Sequence, residues 1–356
     1  MTIPSDLEIK PFDLKNSSAR EYAAMNVFAN RLRAEQLPDD PPIPLDEMVQ
    51  GWQNMPSFQF IPTWVIWSAD GSQIVARAHA AWLDVPENRH LVSCRIMVLP
   101  EYRRQGFARR MLALIAGTTR RENRRTLFAN TDARAPAGAA FMERLGAHPG
   151  LEAHTNQLTI AELNRDLVRD WQTRAQERAA GFELGYWDSA YPEEDIQAVS
   201  DLMQVMNTAP RGTLNYEDEK FTPAQIRQIE KTIFARGDER RAIYVREKAT
   251  GKFAGFTQVI WNPNRPAILQ QLETGVFPAY RNHGLGRWLK AVMLDKALRE
   301  HPEIKYVRTG NADSNAAMLK INNELGFKPY LSVTVWQIEI DQVEKYLQNH
   351  MGVENK

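Results

Sequence analysis

The sequence predicts an α+β chain of two tandem domains, each a mixed, mostly antiparallel central sheet flanked by helices. Three observations predict it. First, Val98–Ile115 (VLPEYRRQGFARRMLALI) and Val276–Met293 (VFPAYRNHGLGRWLKAVM) repeat each other 178 positions apart, with seven of 18 residues identical. Self-similarity at so long a period denotes duplication of a whole domain, here about 160 residues. Second, the same order of patterns surrounds both segments: strand, helices, short strands, motif strand, helix, strand, helix, strands. Third, a chain of 356 residues suits two domains, each large enough to bury a core of its own.

Leu7–Leu14 reads as an opening strand. Ser17 or Ser18 is placed to cap a helix reaching about Gln36, with Tyr22, Met25, Phe28, Ala29 and Leu32 on one face. The prolines of Leu37–Pro44 forbid regular structure. Strands are expected at Thr63–Trp67, Ile74–Leu83 and Leu91–Leu99, the middle one antiparallel to its neighbours because the turns around it are short and polar. Ala161–Arg178 has a helical pattern, with Leu163, Leu167, Val168 and Trp171 on one side, and reads as a connector. The expected division is therefore 1–160, a helical linker 161–180, and 181–356. In the second half, FELGYW after Gly181 opens the domain, followed by helices at about Pro192–Met206 and Thr222–Ala235 with a loop at Asn207–Leu214. Strands at Arg241–Glu247, Phe253–Trp261 and Ala267–Phe277 rebuild the plan, and a helix and tail lie beyond Gln342.

The repeated segment has a physical purpose. A strand ends at Pro100 or Pro278, since proline cannot donate to a ladder. Next comes Arg-x-x-Gly-x-Ala (Arg103–Ala108) or Arg-x-x-Gly-x-Gly (Arg281–Gly286). Small residues let the backbone come close to a ligand. The helix that starts there offers free N–H groups and the positive end of its dipole, a combination that binds anions and suits pyrophosphate. Leu285, Trp288, Leu289, Val292 and Met293 form one stripe of the second helix; Phe107, Met111, Leu114 and Ile115 form that of the first.

Both segments resemble the acetyl-CoA-binding motif of the GNAT N-acetyltransferase superfamily, Arg/Gln-x-x-Gly-x-Gly/Ala after a strand ending in Val-x-Pro. The second copy extends the likeness through Tyr306–Tyr330 (YVRTGNADSNAAMLKINNELGFKPY): a strand, a helix headed by Asn-x-x-Met, then Leu-Gly-Phe. The first has a weaker counterpart in Leu127–Thr131, a short helix, and Leu145-Gly146-Ala147. The wider tandem group that includes mycothiol synthase is what the second half looks most like. The resemblance implies an acetyl-CoA cofactor whose pyrophosphate lies on the backbone of Asn282, His283, Gly284, Leu285 and Gly286, with Arg281 adding charge. Val276 then contacts the pantetheine arm or the acetyl carbonyl, and Asn311 and Asn315 complete the cofactor side. The matching positions of the first copy are Val98, Arg103, Arg104, Gln105, Gly106, Phe107 and Ala108.

Acetyl transfer to an amine needs a base, because an amine of pKa near 10.4 is protonated at neutral pH and freeing it costs roughly 4.6 kcal/mol. Glu273 lies eight residues before Arg281 on the motif strand, where many family members carry a carboxylate. Asp313 and Glu217 are weaker candidates. At the matching place in the first copy stands Arg95, a cation that opposes an ammonium and accepts no proton. Where many relatives have a tyrosine to protonate the departing thiolate, this chain has Asn322, able to hydrogen-bond the sulfur or pantetheine but not to act as an acid. Tyr280 and Tyr306 are conceivable stand-ins with structural roles as the alternative. The first copy has Ala135 and Met142 at the two asparagine positions. The expected division of labour is a transferring C-terminal half and a degenerate N-terminal half that binds a CoA-like ligand or shapes the cleft. Two other classes fit the same residues: a non-catalytic CoA-binding or regulatory protein, and an acyl- or aminoacyltransferase acting on a peptide or protein terminus.

Composition narrows the partners. Lys plus Arg and Asp plus Glu both number 44, so no net field draws the chain to nucleic acid or to a membrane surface. The arginines of Arg120–Arg125 read as a solvated helix end. No apolar run approaches the ~18 residues of a membrane span, and MTIPSDLEIK lacks a signal core, so a cytoplasmic enzyme is expected, and the resemblance implies a small-molecule amine as its acceptor. A single cysteine, Cys94, forbids an internal disulfide and reads as a small buried side chain. His79 reads as a satisfied strand residue, and His283 as facing solvent or phosphate. The seven histidines show no metal-ligand spacing, and no metal is expected. A monomer is expected, a homodimer also being open, since pairing of the halves can satisfy an interface that single-domain relatives form between subunits.

Overall fold

Ser18 starts the first helix by a reciprocal cap: its side chain accepts from the Glu21 amide, and the Glu21 carboxylate accepts from the Ser18 amide. The computed structural model describes residues 7–351. In chain order the first half comprises β1 (Ile9–Phe12), α1 (Ala19–Gln36), α2 (Leu45–Gln53), β2 (Gln59–Phe60), β3 (Thr63–Trp67), β4 (Ile74–Leu83), β5 (Leu91–Val98), α3 (Phe107–Arg121), β6 (Thr126–Asp132), α4 (Ala137–Leu145), β7 (His148–Thr159) and α5 (Arg165–Arg178). The second comprises β8 (Phe182–Asp188), α6 (Ile196–Met203), α7 (Pro223–Ala235), β9 (Glu239–Glu247), β10 (Phe253–Trp261), β11 (Ile268–Val276), α8 (Leu285–Glu300), β12 (Tyr306–Ala312), α9 (Ala316–Leu325), β13 (Lys328–Glu339) and α10 (Ile340–Met351). The expected strands of both halves and the helix beyond Gln342 are present; the tail beyond it lies outside the described residues. Helix α2 follows directly on the proline loop and escaped the sequence reading.

Two compact units form, and they are not the two sequence halves. Unit 1 holds the chain up to Leu151, the segment Thr213–Tyr216 and the chain from Val333; unit 2 holds Glu152–Gly212 and Glu217–Ser332. In unit 1 the strand order is β1-β3-β4-β5-β6-β13, with β5 and β6 parallel and the other neighbours antiparallel. In unit 2 it is β8-β9-β10-β11-β12-β7, with β11 and β12 parallel and the rest antiparallel. Each sheet is thus finished by the last strand of the other half: Val333–Glu339 pairs with β6, and Ala153–Thr159 with β12. The helix after each exchanged strand goes with it. Helix α10 packs on α3 in unit 1, and α5 packs on α8 in unit 2. The segment read as a linker therefore belongs to a core, with Val168 and Trp171 buried against α8 residues.

Both units have a layer of helices on each face of the sheet, where alternating strand residues bury their two apolar rows. In unit 1, α3, α4 and α10 cover one face around Met111, Ile115 and Trp336. The other face carries α1 and α2 around Met25, Phe28 and Val65. In unit 2 the corresponding layers centre on Leu289, Met293 and Phe327 and on Trp187, Val199 and Phe256. No helix among the described residues is long and apolar enough to cross a membrane.

Candidate functional site

The two repeated loops take one backbone path. After β5 and after β11 a short 3-10 turn, Pro100–Tyr102 or Pro278–Tyr280, leads to a left-handed residue, Arg104 at φ 63° or Asn282 at φ 71°. A second left-handed residue, Gly106 at φ 82° or Gly284 at φ 79°, caps the following helix. A Cβ on either glycine would meet nothing within 4 Å, so it is the backbone angle that requires glycine and the space in front that stays open. The amides of residues 104–108 and 282–286 have no hydrogen-bond partner among the described residues. Successive unspent N–H groups at a helix start form a cradle for a phosphate-type anion, and the loops fit the pyrophosphate of acetyl-CoA on that ground. At the third motif position a Cβ on Gly286 would lie 3.4 Å from Ile321 Cδ1, a contact mild enough to match Ala108 in the first copy.

The motif arginines do something other than expected. Arg281 Nε donates to the Val276 carbonyl at 3.1 Å and Nη2 to Thr208 Oγ1 at 2.8 Å. Arg103 Nε donates to the Val98 carbonyl at 3.0 Å, and its two Nη atoms grip Glu35 in a bidentate pair. In both copies the guanidinium ties the loop to the end of the motif strand, which explains its place in the repeat without a phosphate. The charge of Arg103 is thus met by Glu35, whereas Arg281 bonds only neutral groups and its exposed guanidinium keeps its charge. Residues Val98 and Val276 likewise present carbonyls that are already accepting.

Downstream of the shared ladder, the parallel strands part. Pairing of β5 with β6 stops at Cys94–Ala129, and that of β11 with β12 at Gln270–Arg308. In unit 1 the gap opens into a cleft of about 420 Å3, lined by Arg95, Arg104, Arg109 and Arg144 against two carboxylates, Glu35 and Asp132. Glu35 is neutralised by Arg103. The apolar part of the lining includes Leu112 and Met142, and Gln105, Phe107 and Ala108 belong to the loop at its mouth or the helix beneath it. Such a combination, apolar walls with a surplus of cations, suits a long apolar arm that ends in phosphates.

In unit 2 the motif strand is bulged. Thr257 faces Thr274 and Val259 faces Gln271, so Leu272 and Glu273 together oppose Gln258. A bulge breaks the ladder and re-aims the side chains at it. Here it brings Gln258 onto Glu273, the Nε2 of the one donating to Oε2 of the other, while Tyr191 Oη donates to Gln258 Oε1 at 3.1 Å. Burial pushes the Tyr191 hydroxyl up to about 12, with Glu273 and Glu230 adding to the rise against Arg240. The tyrosine therefore remains a donor, and the chain Tyr191–Gln258–Glu273 holds the carboxylate in one orientation. In unit 1 the corresponding β4–β5 ladder runs without a shift from Ala76–Val98 to Ala81–Ser93, and Arg95 stands where Glu273 does.

The asparagines of the second copy face inward. Asn315 caps α9, its side chain accepting from the Met318 amide at 3.3 Å. Asn311 Oδ1 accepts from Asn322 Nδ2 at 2.7 Å and from Asn156 Nδ2 at 3.3 Å. Asn322 is 0% exposed, so it reaches neither a thiolate nor pantetheine, and its Oδ1 accepts from Lys290 Nζ at 2.8 Å. Lys290 is 3% exposed beneath the ring of Phe327, and burial pulls its pKa down to about 7. The matching residues of unit 1, Leu112 and Met142, are apolar; a lysine on a helix whose other face is charged gave no sequence signal for burial. An unfolded chain binds a proton on this lysine up to its ordinary value near 10.5, which the folded chain releases above about 7. Stability therefore rises with pH across that window. Relative to Lys290→Met, the wild type should gain roughly 1.4 kcal/mol per pH unit between pH 7 and 10. Thermal unfolding of the two proteins at pH 7 and 9 measures this, and parallel pH curves would show that Lys290 keeps its proton.

Several other expectations are settled by contacts. Cys94 is a buried thiol pushed up to about 12 by burial. His283 lies 5.6 Å from the Phe182 ring, and Tyr280 meets the same ring edge-on, so both shape the loop. Asp313 is engaged by His154 Nδ1 at 2.6 Å, and Glu217 is exposed. The expectation of a satisfied His79 is not met: its Nδ1 is buried without a hydrogen-bond partner. Among the described residues no group of three or more His, Cys, Asp or Glu is placed to hold a metal ion.

Residues 28–147 match the model of the Acetyltransferase (GNAT) family. The chain is similar to a solved tandem GNAT protein from the clavulanic acid biosynthesis pathway, determined without acetyl-CoA, with 26% identity and a TM-score of 0.74 over 94% of this chain and 99% of that one. It shares the fold of a GCN5-related N-acetyltransferase from Sphaerobacter thermophilus, with 13% identity and a TM-score of 0.64 over 95% and 97% of the two chains. A fungal glucosamine N-acetyltransferase region matches at 12% identity and a TM-score of 0.66, over 94% of this chain and 38% of that one. No curated protein sequence matches. Residues 28–147 thus match the GNAT acetyltransferase family, and the chain as a whole is similar to a tandem GNAT protein.

Proposed function

We propose that this protein is an acetyl-CoA-dependent N-acetyltransferase that acts on the amine of a small molecule, with transfer centred on unit 2. The observation that carries this reading is Glu273, a carboxylate set at a bulge, oriented by Gln258 and Tyr191, on the strand that feeds the amide cradle of residues 282–286. Bound acetyl-CoA supplies the activated acetyl thioester. Glu273 takes the proton from the acceptor ammonium, directly or through water, and the amides of Asn282–Gly286 hold the pyrophosphate. With Asn322 sealed in the core, solvent protonates the thiolate, whose pKa is comparable to that of a cysteine at about 8.5. The cleft of unit 1 supports a second ligand-binding reading: it takes a CoA-like molecule without the base that amine acetylation requires.

The test is release of coenzyme A thiol from acetyl-CoA, measured against a panel of small amines and against peptides with free N-termini. Release that depends on a small amine supports the proposal. Release that depends on a peptide moves the acceptor to a protein terminus, and binding of acetyl-CoA without release to any acceptor leaves a CoA-binding protein.

A further inference from the structure

Unit 1 holds two arginines and a histidine on one face of its sheet, beside the cleft and under α1 and α2. His79 and Arg95 are register partners across β4 and β5, which places them on the same face, and Arg77 lies two residues before His79 on that face. Helices α1 and α2 cover that face through Phe28, Met48 and Val49. None of the three forms an ion pair with a carboxylate among the described residues. Arg95 Nη2 reaches Gln36 Oε1 at 3.5 Å, the guanidinium of Arg77 lies 5.6 Å from the Trp52 ring centroid, and Arg77 Nε and His79 Nδ1 are buried with no hydrogen-bond partner. Burial lowers Arg77 to about 10 and His79 to about 3, with the neighbouring arginines adding to both shifts.

A half-buried guanidinium whose Nε is sealed from water without a partner or counter-ion is costly, and an anion that pairs with it offsets that cost. Stacking on Trp52 offsets part of the cost for Arg77 and leaves its N–H fork unspent. We infer that Arg77, His79 and Arg95 form an anion subsite in unit 1 that binds the carboxylate of a small molecule entering the cleft from the α1–α2 side. The planar fork of an arginine matches a carboxylate in two parallel bonds, and the neutral imidazole adds one donor or acceptor. Arg95 lines the cleft itself, which joins the three residues to the space that the loop at Gly106 opens. The two guanidinium groups repel an ammonium, which separates the ligand class of unit 1 from the amine acceptor of unit 2. This assignment stands on unit 1 alone and does not depend on where transfer takes place.

The experiment uses the full chain and three readouts: melting temperature, succinate binding and acetyl-CoA binding, for the wild type, Arg77→Met and Arg95→Gln. Succinate and inorganic phosphate are the probes, with chloride at matched ionic strength as the control. Succinate should raise the wild-type melting temperature saturably, by about 2–4 °C, and phosphate should do so less. Arg77→Met should weaken succinate binding by about tenfold or more while its ligand-free melting temperature equals or exceeds that of the wild type, since a half-buried charge without a counter-ion has been removed. Arg95→Gln should weaken succinate binding in the same direction and keeps the test open should Arg77→Met fail to fold. A ligand-free melting temperature for Arg77→Met well below the wild type would show a structural cation and overturn the inference. An unchanged succinate response in Arg95→Gln, a response to phosphate that exceeds that to succinate, or no response to either probe would overturn it as well. Acetyl-CoA titration of the same proteins keeps this outcome apart from the fate of the transferase reading.

Discussion

Titration of acetyl-CoA into the wild type should give two sites per chain, and Gly106→Glu and Gly284→Glu should each remove one of them. The two loops share one backbone path, and each glycine faces open space where a phosphate would rest. A glutamate there sits at a φ near 80°, which strains any residue with a Cβ, and projects a charge into the cradle. Two like charges ~4 Å apart at an effective dielectric of ~20 repel by about 4 kcal/mol, close to three decades in affinity. Gly106→Asn and Gly284→Asn separate the two causes, because asparagine tolerates the left-handed region and carries no charge. The asparagine variants should keep most of the affinity. A single wild-type site that Gly106→Glu alone abolishes would place the donor in unit 1 and remove the basis for transfer in unit 2.

Glu273→Gln should lower kcat for coenzyme A release by about 10²–10⁴ while KM for acetyl-CoA changes little, because the substitution keeps the shape of the side chain and removes the group that accepts the proton. A glutamine at 273 still offers a carbonyl oxygen to Gln258 Nε2, so Gln258 keeps its oxygen on Tyr191 and the bulge survives the change. The acidic limb of the pH–rate profile should flatten in the variant. An unchanged kcat would exclude Glu273 as the base, and an unchanged kcat with a lost cofactor site in Gly284→Glu would point to solvent as the proton acceptor. Arg95 at the matching place in unit 1 offers a control: Arg95→Glu tests whether a carboxylate alone confers release on the other cleft, and the unshifted β4–β5 ladder argues that it does not.

The repeat, the order of elements and the phosphate-type loops were legible in the chain because each rests on neighbours in sequence. Helix periodicity on α1, the Ser18–Glu21 cap, proline at the strand ends and glycine at the two left-handed positions are decided within a few residues. Glu273 is legible only through the family resemblance, as the carboxylate eight residues before Arg281 on the motif strand. What depends on partners far along the chain was not legible. The exchange of β13 with α10 and of β7 with α5 leaves no local trace, because an exchanged strand has the same alternating pattern as one that pairs at home. The motif suggests arginines that serve the phosphates, and only the tertiary structure shows their Nε atoms tied to the carbonyls of Val98 and Val276. Lys290 and the Arg77–His79–Arg95 group were invisible for the same reason. A charged residue's type says that it prefers water, and only the packing of helices and strands over it decides that it is denied water and must find its partner elsewhere.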